Sequence, residues 1–546
     1  MILRRCLRAA WPGAVLGASL LAAGCGRHAE AAGAGGGTEQ VLRMGNGAEP
    51  QDLDPQAVAG IPELNVIQAL FDSLVEPDPQ DLHPVPGLAE TWDVSADGLV
   101  YTFHLRANLR WSNGDPLTAD DFIQSYRRIL TPSLGSEYAS YFYNYVRGAK
   151  DYFDGKVTDF SQVGVQAPDA RTLVVTLTQP TPFLLAMIAQ HYVWDPLPIK
   201  VVGKFGPLGE KGSAWTRAGH LVASGPFQLK EWTPNKRIVV VRNPNYWDAA
   251  RVKLDRIEFY PTEDLGAEER MYRTGQIDRT YDFDRSKLDL YRQKYLQELQ
   301  LQPWLGSYYY VFNVRRAPFT DARVRRALAL AIDREQIAKD IMRGGESPAY
   351  SFDPPDDSGY TAQAKLQGGV AEARRLLAEA GFPGGRGFPP IQLLYNQNQD
   401  YNRSIAEAVQ AMWRKNLGIE LQLTNQEWKV YLDSLHGHNF QLIRTGWIAD
   451  FTDADAFLET LETGNGNNDG AWSNPEYDRL LHEARNAKTQ AERYAAYQKM
   501  DRIVVDECPV LPIFYYTKVY ALRPSVKGWW PTLLDEHPYK YVYLQP

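Results

Sequence analysis

Segments that read as strands and segments that read as helices follow one another along this chain without a regular strand–helix–strand beat, and that succession limits the fold more than any other feature. Residues 100–105, 172–177 and 238–242 are rich in β-branched and aromatic side chains, as strands are. Residues 120–130, 321–342, 371–380, 402–416 and 475–506 carry apolar residues at helical period. The helix after Thr320 opens on a capping residue and continues as a stripe through Val324, Leu328 and Ile332; Gly381 is a stop for the helix that precedes it. A wholly parallel sheet needs a crossover helix between its strands, so the expected class is α/β, with lobes built on mixed sheets. At 546 residues the chain exceeds one ordinary core, and ~150 residues per domain gives about three or four.

The first 25 residues read as a secretory leader. Arg4, Arg5 and Arg8 form a charged head, residues 14–23 an apolar run too short to span a bilayer, and Leu21-Ala-Ala-Gly-Cys25 a small-residue end. That end resembles the lipobox of bacterial lipoproteins, which implies a lipid on Cys25 as the membrane anchor. Residues 26–38, rich in Ala and Gly, read as a flexible tether. With Cys25 acylated, Cys508 has no partner, so the fold must rest on apolar cores rather than disulfides; Cys508 itself reads as a buried thiol. No further apolar run reaches membrane-spanning length.

A net charge of -8 and a pI near 5.7 argue against a nucleic-acid partner, since phosphate binding wants a basic face. No Gly-x-Ser-x-Gly elbow, Cys/His pairing, His-Glu-x-x-His or Walker loop stands out, so neither an enzyme nor a cofactor is expected. His436-Gly-His438 reads as a polar loop, and Asp450, Asp453 and Asp455 lack the glycine and terminal glutamate of a calcium loop; the latter two read as cap or surface carboxylates. The 31 Tyr and 14 Trp are the informative excess, flat surfaces with polar tips that suit binding sites as well as cores.

Arg444-Thr-Gly-Trp-Ile-Ala-Asp450 sets a cation and an anion at even spacing. In an extended segment both fall on one face, at most ~20 Å apart at ~3.3 Å per residue. Such a pair can grip a ligand charged at both ends, the ammonium at the Asp and the carboxylate at the Arg; two surface charges flanking a buried Trp is the plainer reading of the same segment.

Ser95-Ala-Asp-Gly-Leu-Val-Tyr-Thr-Phe-His-Leu-Arg106 and Leu109-Arg-Trp-Ser-Asn-Gly-Asp-Pro-Leu-Thr-Ala-Asp-Asp-Phe122 read locally as turn, strand, turn and helix start, with Asp97-Gly98 and Asn113-Gly114 as turn dipeptides and Thr118 as a cap. Together they resemble the signature region of the extracellular solute-binding proteins of peptide ABC importers, family 5. Leu53-Asp-Pro55, Pro86-Gly-Leu-Ala-Glu-Thr-Trp92, Val241-Arg-Asn-Pro-Asn-Tyr-Trp247, Pro318-Phe-Thr-Asp-Ala-Arg-Val-Arg325 and Asn425-Gln-Glu-Trp428 agree in chain order.

The resemblance implies a periplasmic-binding-protein-like fold (type II, cluster C). Residues 39–71, 197–305 and 518–546 would form a first lobe, 72–196 an extra domain, and 306–517 a second lobe that closes on the first about a hinge. It implies a monomeric, membrane-anchored receptor in the periplasm or extracytoplasmic space that delivers short peptides to an ABC permease and ATPase. Asp450 would take the peptide's ammonium; Arg444, Arg316 and Asn402 its carboxylate at different lengths. Gly60, Ile61, Gly446 and Ile448 would lend backbone groups, as in strand addition, and Tyr138, Trp428, Trp447 and Leu435 would line side-chain pockets. Leu435 stands where some members carry a cation, which disfavours acidic ligand side chains; Gly306 and Ile448 stand where some carry bridged cysteines. Receptors for murein peptides, dipeptides, haem or nickel chelates are the alternatives within the family, and an envelope hydrolase the alternative outside it.

Overall fold

The Val41–Gly45 strand runs parallel to Arg256–Tyr260, which pairs antiparallel with Arg237–Arg242, itself antiparallel to Phe227–Thr233. This sheet and the rest of the chain come from a computed structural model that describes residues 39–355, 358–396 and 400–545, and of residues 400, 428 and 429 the backbone alone. Cys25 and residues 26–38 lie outside the described residues. Leu42, Met44, Ile238, Val240, Ile257 and Phe259 are buried against the Ile61–Leu70 helix and Trp215, and Tyr520, Leu522, Tyr539 and Val542 near the C-terminus join the same core.

A second four-stranded sheet, Ala89–Val94, Val100–Leu105, Thr172–Thr176 and Val165–Asp169 in spatial order, is antiparallel throughout. Tyr101, Phe103 and Leu105 alternate inward along its second strand and Leu173 and Val175 along its third, the period of two that burial on one face imposes. The Ala119–Ile129 helix covers it through Phe122, Tyr126 and Ile129, opened by a Thr118–Asp121 capping box and closed by Arg127 and Arg128 in its last turn. Arg128 also reaches Asp54 through two hydrogen bonds of 2.6 and 3.0 Å, a buried fork that gives Leu53-Asp-Pro55 a structural task.

The third sheet has six strands in the order Ser347–Pro348, Val510–Ala521, Leu299–Phe312, Leu442–Ile448, Ile391–Asn396 and Leu421–Gln426, antiparallel at one side and parallel at the other. Two of these strands reach beyond the sheet. Leu299 and Ala521 pack with Tyr272, Ile277, Phe283 and Tyr291, whereas Phe312 and Leu511 lie in the core under the Ala322–Leu330 and Asp400–Leu417 helices. The ladder between the long strands breaks between Pro303 and Ser307. Residues 74–194 share one continuous apolar cluster with Tyr431, Phe451, Phe457, Tyr477 and Tyr497. No helix among the described residues is long and apolar enough to cross a membrane.

Two expected helices are broken. The 321–342 segment stops at Leu330, restarts as Arg334–Gln336 and widens to a π-helix over Ile337–Met342. Asp333 causes the restart, its side chain accepting from the N–H of Gln336, while Val324, Leu328 and Ile332 stay buried and keep the apolar period across the break. At the first start Asp321, rather than Thr320, is the cap. The 475–506 segment divides into Pro475–Arg485 and Gln490–Glu507, the second opened by a Thr489–Glu492 capping box.

Candidate functional site

The Leu442–Ile448 strand is paired along its whole length on one side, with Tyr310 opposite Arg444, Tyr308 opposite Gly446 and Gly306 opposite Ile448. On its other side pairing ends early, at Leu393 with Leu442 and Leu394 with Ile443. From residue 444 onward no strand among the described residues pairs with that edge. Opposed residues in an antiparallel ladder alternate between bonded and non-bonded pairs; the N–H of Ala449 bonds the Leu305 carbonyl, while the Arg444 carbonyl accepts from the Tyr431 hydroxyl instead. The even-numbered residues therefore turn their backbone groups away from the Leu299–Phe312 strand, so Gly446 and Ile448 offer theirs at the unpaired edge.

Arg444 begins this edge. It is 8% exposed, and its partners are all neutral: Nη1 donates to Asn396 Oδ1 at 3.1 Å, Nη2 to the Tyr516 hydroxyl at 2.8 Å, and the guanidinium lies 4.5 Å from the Tyr308 ring centroid. Nε is buried without an acceptor. A guanidinium keeps its charge at any physiological pH, and a buried charge that lacks a counterion is costly, so the geometry leaves a place for an anion. A Cβ at Gly446 would stand 2.4 Å from the Tyr516 hydroxyl oxygen, so the glycine lets that ring close on the strand.

Asp450 lies just past the other end. Its carboxylate accepts from the Tyr141 hydroxyl, and among the described residues no cation pairs with it. Burial pushes its pKa up to about 6 against the pull of the Tyr141 bond. Around it Tyr138, Tyr141, Tyr192 and His191 pack with ring centroids 4.2 to 6.1 Å apart, and burial holds His191 neutral, with a pKa of about 3. A carboxylate within an aromatic group suits an ammonium, which gains from both the charge and the ring faces.

A cavity of about 400 Å³ flanks the strand. Tyr281, Asp282, Arg285, Trp304 and Lys518 line it together with Asn396, Tyr401, Tyr431, Leu435, Trp447 and Asp469, among others. Arg444, Gly446, Ile448, Leu435 and Trp447 are thus brought together, and Trp447 is oriented by its indole N–H donating to the Ala456 carbonyl at 2.7 Å. Tyr138 stands with the Asp450 group. Gly60 and Ile61 begin the Ile61–Leu70 helix and do not line the cavity. They lie close to the Asp450 group, since the Tyr192 hydroxyl donates to the Val58 carbonyl at 3.1 Å, and the Gly60 carbonyl is already taken by the N–H of Leu64.

Two expected positions, Arg316 and Asn402, fall outside the cavity. Arg316 is exposed and donates to the His438 carbonyl at 3.2 Å, outside the cavity. Asn402 is fully buried one layer behind it, its amide donating to both oxygens of Asn396 at 3.2 Å, so it meets Arg444 only through that residue. Trp428 opens a helix, but its side chain lies outside the described residues. Asp453 and Asp455 are not surface carboxylates. Asp453 is buried with Arg493 at 3.0 Å and Asp455 with Arg485 through bonds of 2.9 and 3.0 Å.

Tyr141, His191, Tyr192, Tyr308, Asn396, Tyr516 and Asp469 are site residues that the sequence reading did not single out. For Tyr141 a signal was present, the tyrosine-rich run from Tyr138 to Tyr145.

The comparisons with known proteins agree on one family. Residues 83–469 match the model of the bacterial extracellular solute-binding proteins, family 5 Middle. The chain belongs to this family. The periplasmic oligopeptide-binding protein OppA of Salmonella typhimurium is 37% identical over 505 residues, 90% of each chain. Among solved structures of the family, the murein tripeptide binding protein MppA of Escherichia coli superposes with a TM-score of 0.82 at 34% identity, covering 93% of this chain and 99% of that one. Haemophilus influenzae OppA in complex with the peptide RPPGFSPFR superposes with a TM-score of 0.81 at 33% identity, with the same coverage. The mixed α/β sheets agree with that family.

Proposed function

We propose that this family-5 solute-binding protein captures short peptides in extended form and delivers them to the permease and ATPase of an ABC importer. In this reading residues 39–71, 197–305 and 518–546 form one gripping lobe and residues 306–517 the other. Residues 72–196 are the extra domain, and the hinge is the strand pair whose ladder breaks between Pro303 and Ser307. The observation that carries the proposal is the Leu442–Ile448 edge, which among the described residues is unpaired from 444 onward and has a cation without a counterion near one end and an anion without one beyond the other. A peptide added along it gains backbone hydrogen bonds blind to its sequence and meets Asp450 with its ammonium and Arg444 with its carboxylate. About three to five extended residues, ~10–17 Å at ~3.3 Å each, suit that span.

The peptide binding named for OppA and MppA supports this reading. The protein acts as a monomer, a binder rather than a catalyst, held outside the cytoplasm through a lipid on Cys25. Mass spectrometry of ligands released by denaturing the purified protein tests it: a mixture of short peptides with free termini is expected, and recovery of only haem, a metal chelate or a bile acid would overturn it.

A further inference from the structure

Asp469 is a charge in the cavity that neither terminus of a peptide uses. It is 9% exposed and lines the same 400 Å³ space as Arg444, Leu432 and Leu435, near enough to the Tyr309 and Tyr431 hydroxyls for its charge to act on them. Oδ1 is buried without a hydrogen-bond partner, and among the described residues no cation pairs with the carboxylate. Its backbone carbonyl is occupied, facing His438 Nδ1 at 2.8 Å, which pins the loop. Burial alone raises its pKa to about 7. The titratable and charged groups nearest it are the Tyr309 and Tyr431 hydroxyls, His436, His438 and Arg444. Arg444 already has its own place on the strand edge.

We propose that this part of the cavity is a side-chain subsite selective for a basic residue, lysine or arginine, with Asp469 as the specificity-determining group. Apolar and aromatic walls leading to one buried carboxylate match a long aliphatic stem with a cationic head, which buries its methylenes and presents its charge at the tip. A ligand carboxylate there would face the Asp469 carboxylate, so an acidic side chain binds less well than a basic one. The proposal rests on the peptide reading and deepens it.

Isothermal titration calorimetry on the full-length protein tests the subsite, with tetra-alanine and its variants carrying lysine, norleucine or glutamate at each position in turn. At one position lysine should exceed norleucine by about 10- to 100-fold, the range for a hydrogen bond to a charged group, and glutamate should be weakest. Asp469→Asn should bring the lysine-to-norleucine ratio toward one, and Asp469→Glu should restore part of it. At pH 6.5 the lysine peptide should release about three-quarters of a proton more than the norleucine peptide, read from two buffers of different ionisation heat, because its ammonium displaces the proton of a carboxyl near 7. A role for Asp469 in stability alone would produce neither that difference nor a change in ratio. Equal affinities for lysine and norleucine at every position, with tetra-alanine still bound, would overturn this inference alone; failure of every peptide would overturn the peptide reading with it.

Discussion

Replacing Asp450 by Asn should strengthen the ligand-free fold and weaken the complex. In the free protein the carboxyl is held near 6 rather than 3.8 by burial, so the fold disfavours its charged form. The penalty is absent below the unfolded value, grows as pH rises toward 6 and is complete above it, at most ~3 kcal/mol at 1.36 kcal/mol per pKa unit. Asp450→Asn should therefore melt higher than the parent at pH 8, with the gain gone near pH 4. The complex changes in the opposite sense. Removing one partner of a buried charge pair costs ~2–5 kcal/mol, and a partly exposed carboxylate belongs at the low end, ~2–3 kcal/mol or about 30- to 150-fold in affinity. Calorimetry with tri-alanine and N-acetyl-tri-alanine reads the effect: the loss should fall on the free amine, while the acetylated peptide, already weak, should change little. Equal losses for both would refute the ammonium role, and an unchanged melting temperature at pH 8 would refute the burial cost.

Other outcomes follow from the same geometry. Affinity for free-amine peptides should hold between about pH 6 and 8, where Asp450 is charged and an α-ammonium near 8 keeps its proton, and fall up to tenfold per pH unit below 6; titrations across pH 4.5–8 check this, and a flat profile would contradict it. Arg444→Gln should lose at least tenfold for peptides with a free carboxylate and little for their C-terminal amides, read in the same calorimeter. Gly446→Ala forces a methyl to within 2.4 Å of the Tyr516 hydroxyl oxygen, displacing the hydroxyl that holds Arg444; affinity should fall for free-carboxylate peptides in calorimetry, and Tyr516→Phe, which removes the same hydroxyl, should lower it in the same sense. Thr489→Ala removes the cap of the Gln490–Glu507 helix and should cost ~1 kcal/mol of stability in chemical denaturation.

Much of the fold is legible where burial is one-sided. The Val100–Leu105 strand matches its expected bounds because Tyr101, Phe103 and Leu105 must alternate inward, and Asp97-Gly98 and Asn113-Gly114 carry the positive φ that turns need. The two over-long helices failed for different reasons. In the first the apolar period continues across the break and Asp333 is the signal to weigh against it, and in the second the buried apolar positions lapse between Ala484 and Ala496, where Thr489 with Glu492 marks the restart. In the site, Arg444 and Asp450 stand out as opposite charges at even spacing in an extended segment. Their partners do not, because Tyr141 lies 309 residues from Asp450 and Tyr516 lies 72 from Arg444, contacts that only the folded chain creates. Asp469 sits in a run of Asn and Gly where an acidic residue reads as loop polarity, and nothing local announces that it is buried.

One peptide in four forms, with termini free, N-acetylated, C-amidated and doubly blocked, measured by calorimetry at pH 7.5, asks whether Asp450 and Arg444 grip the two ends of an extended ligand. The free peptide should bind tightest, each single block should cost at least tenfold, and Asp450→Asn and Arg444→Gln should each abolish the penalty of the matching block. Indifference to both blocks in the parent protein would contradict a two-ended grip along the Leu442–Ile448 edge.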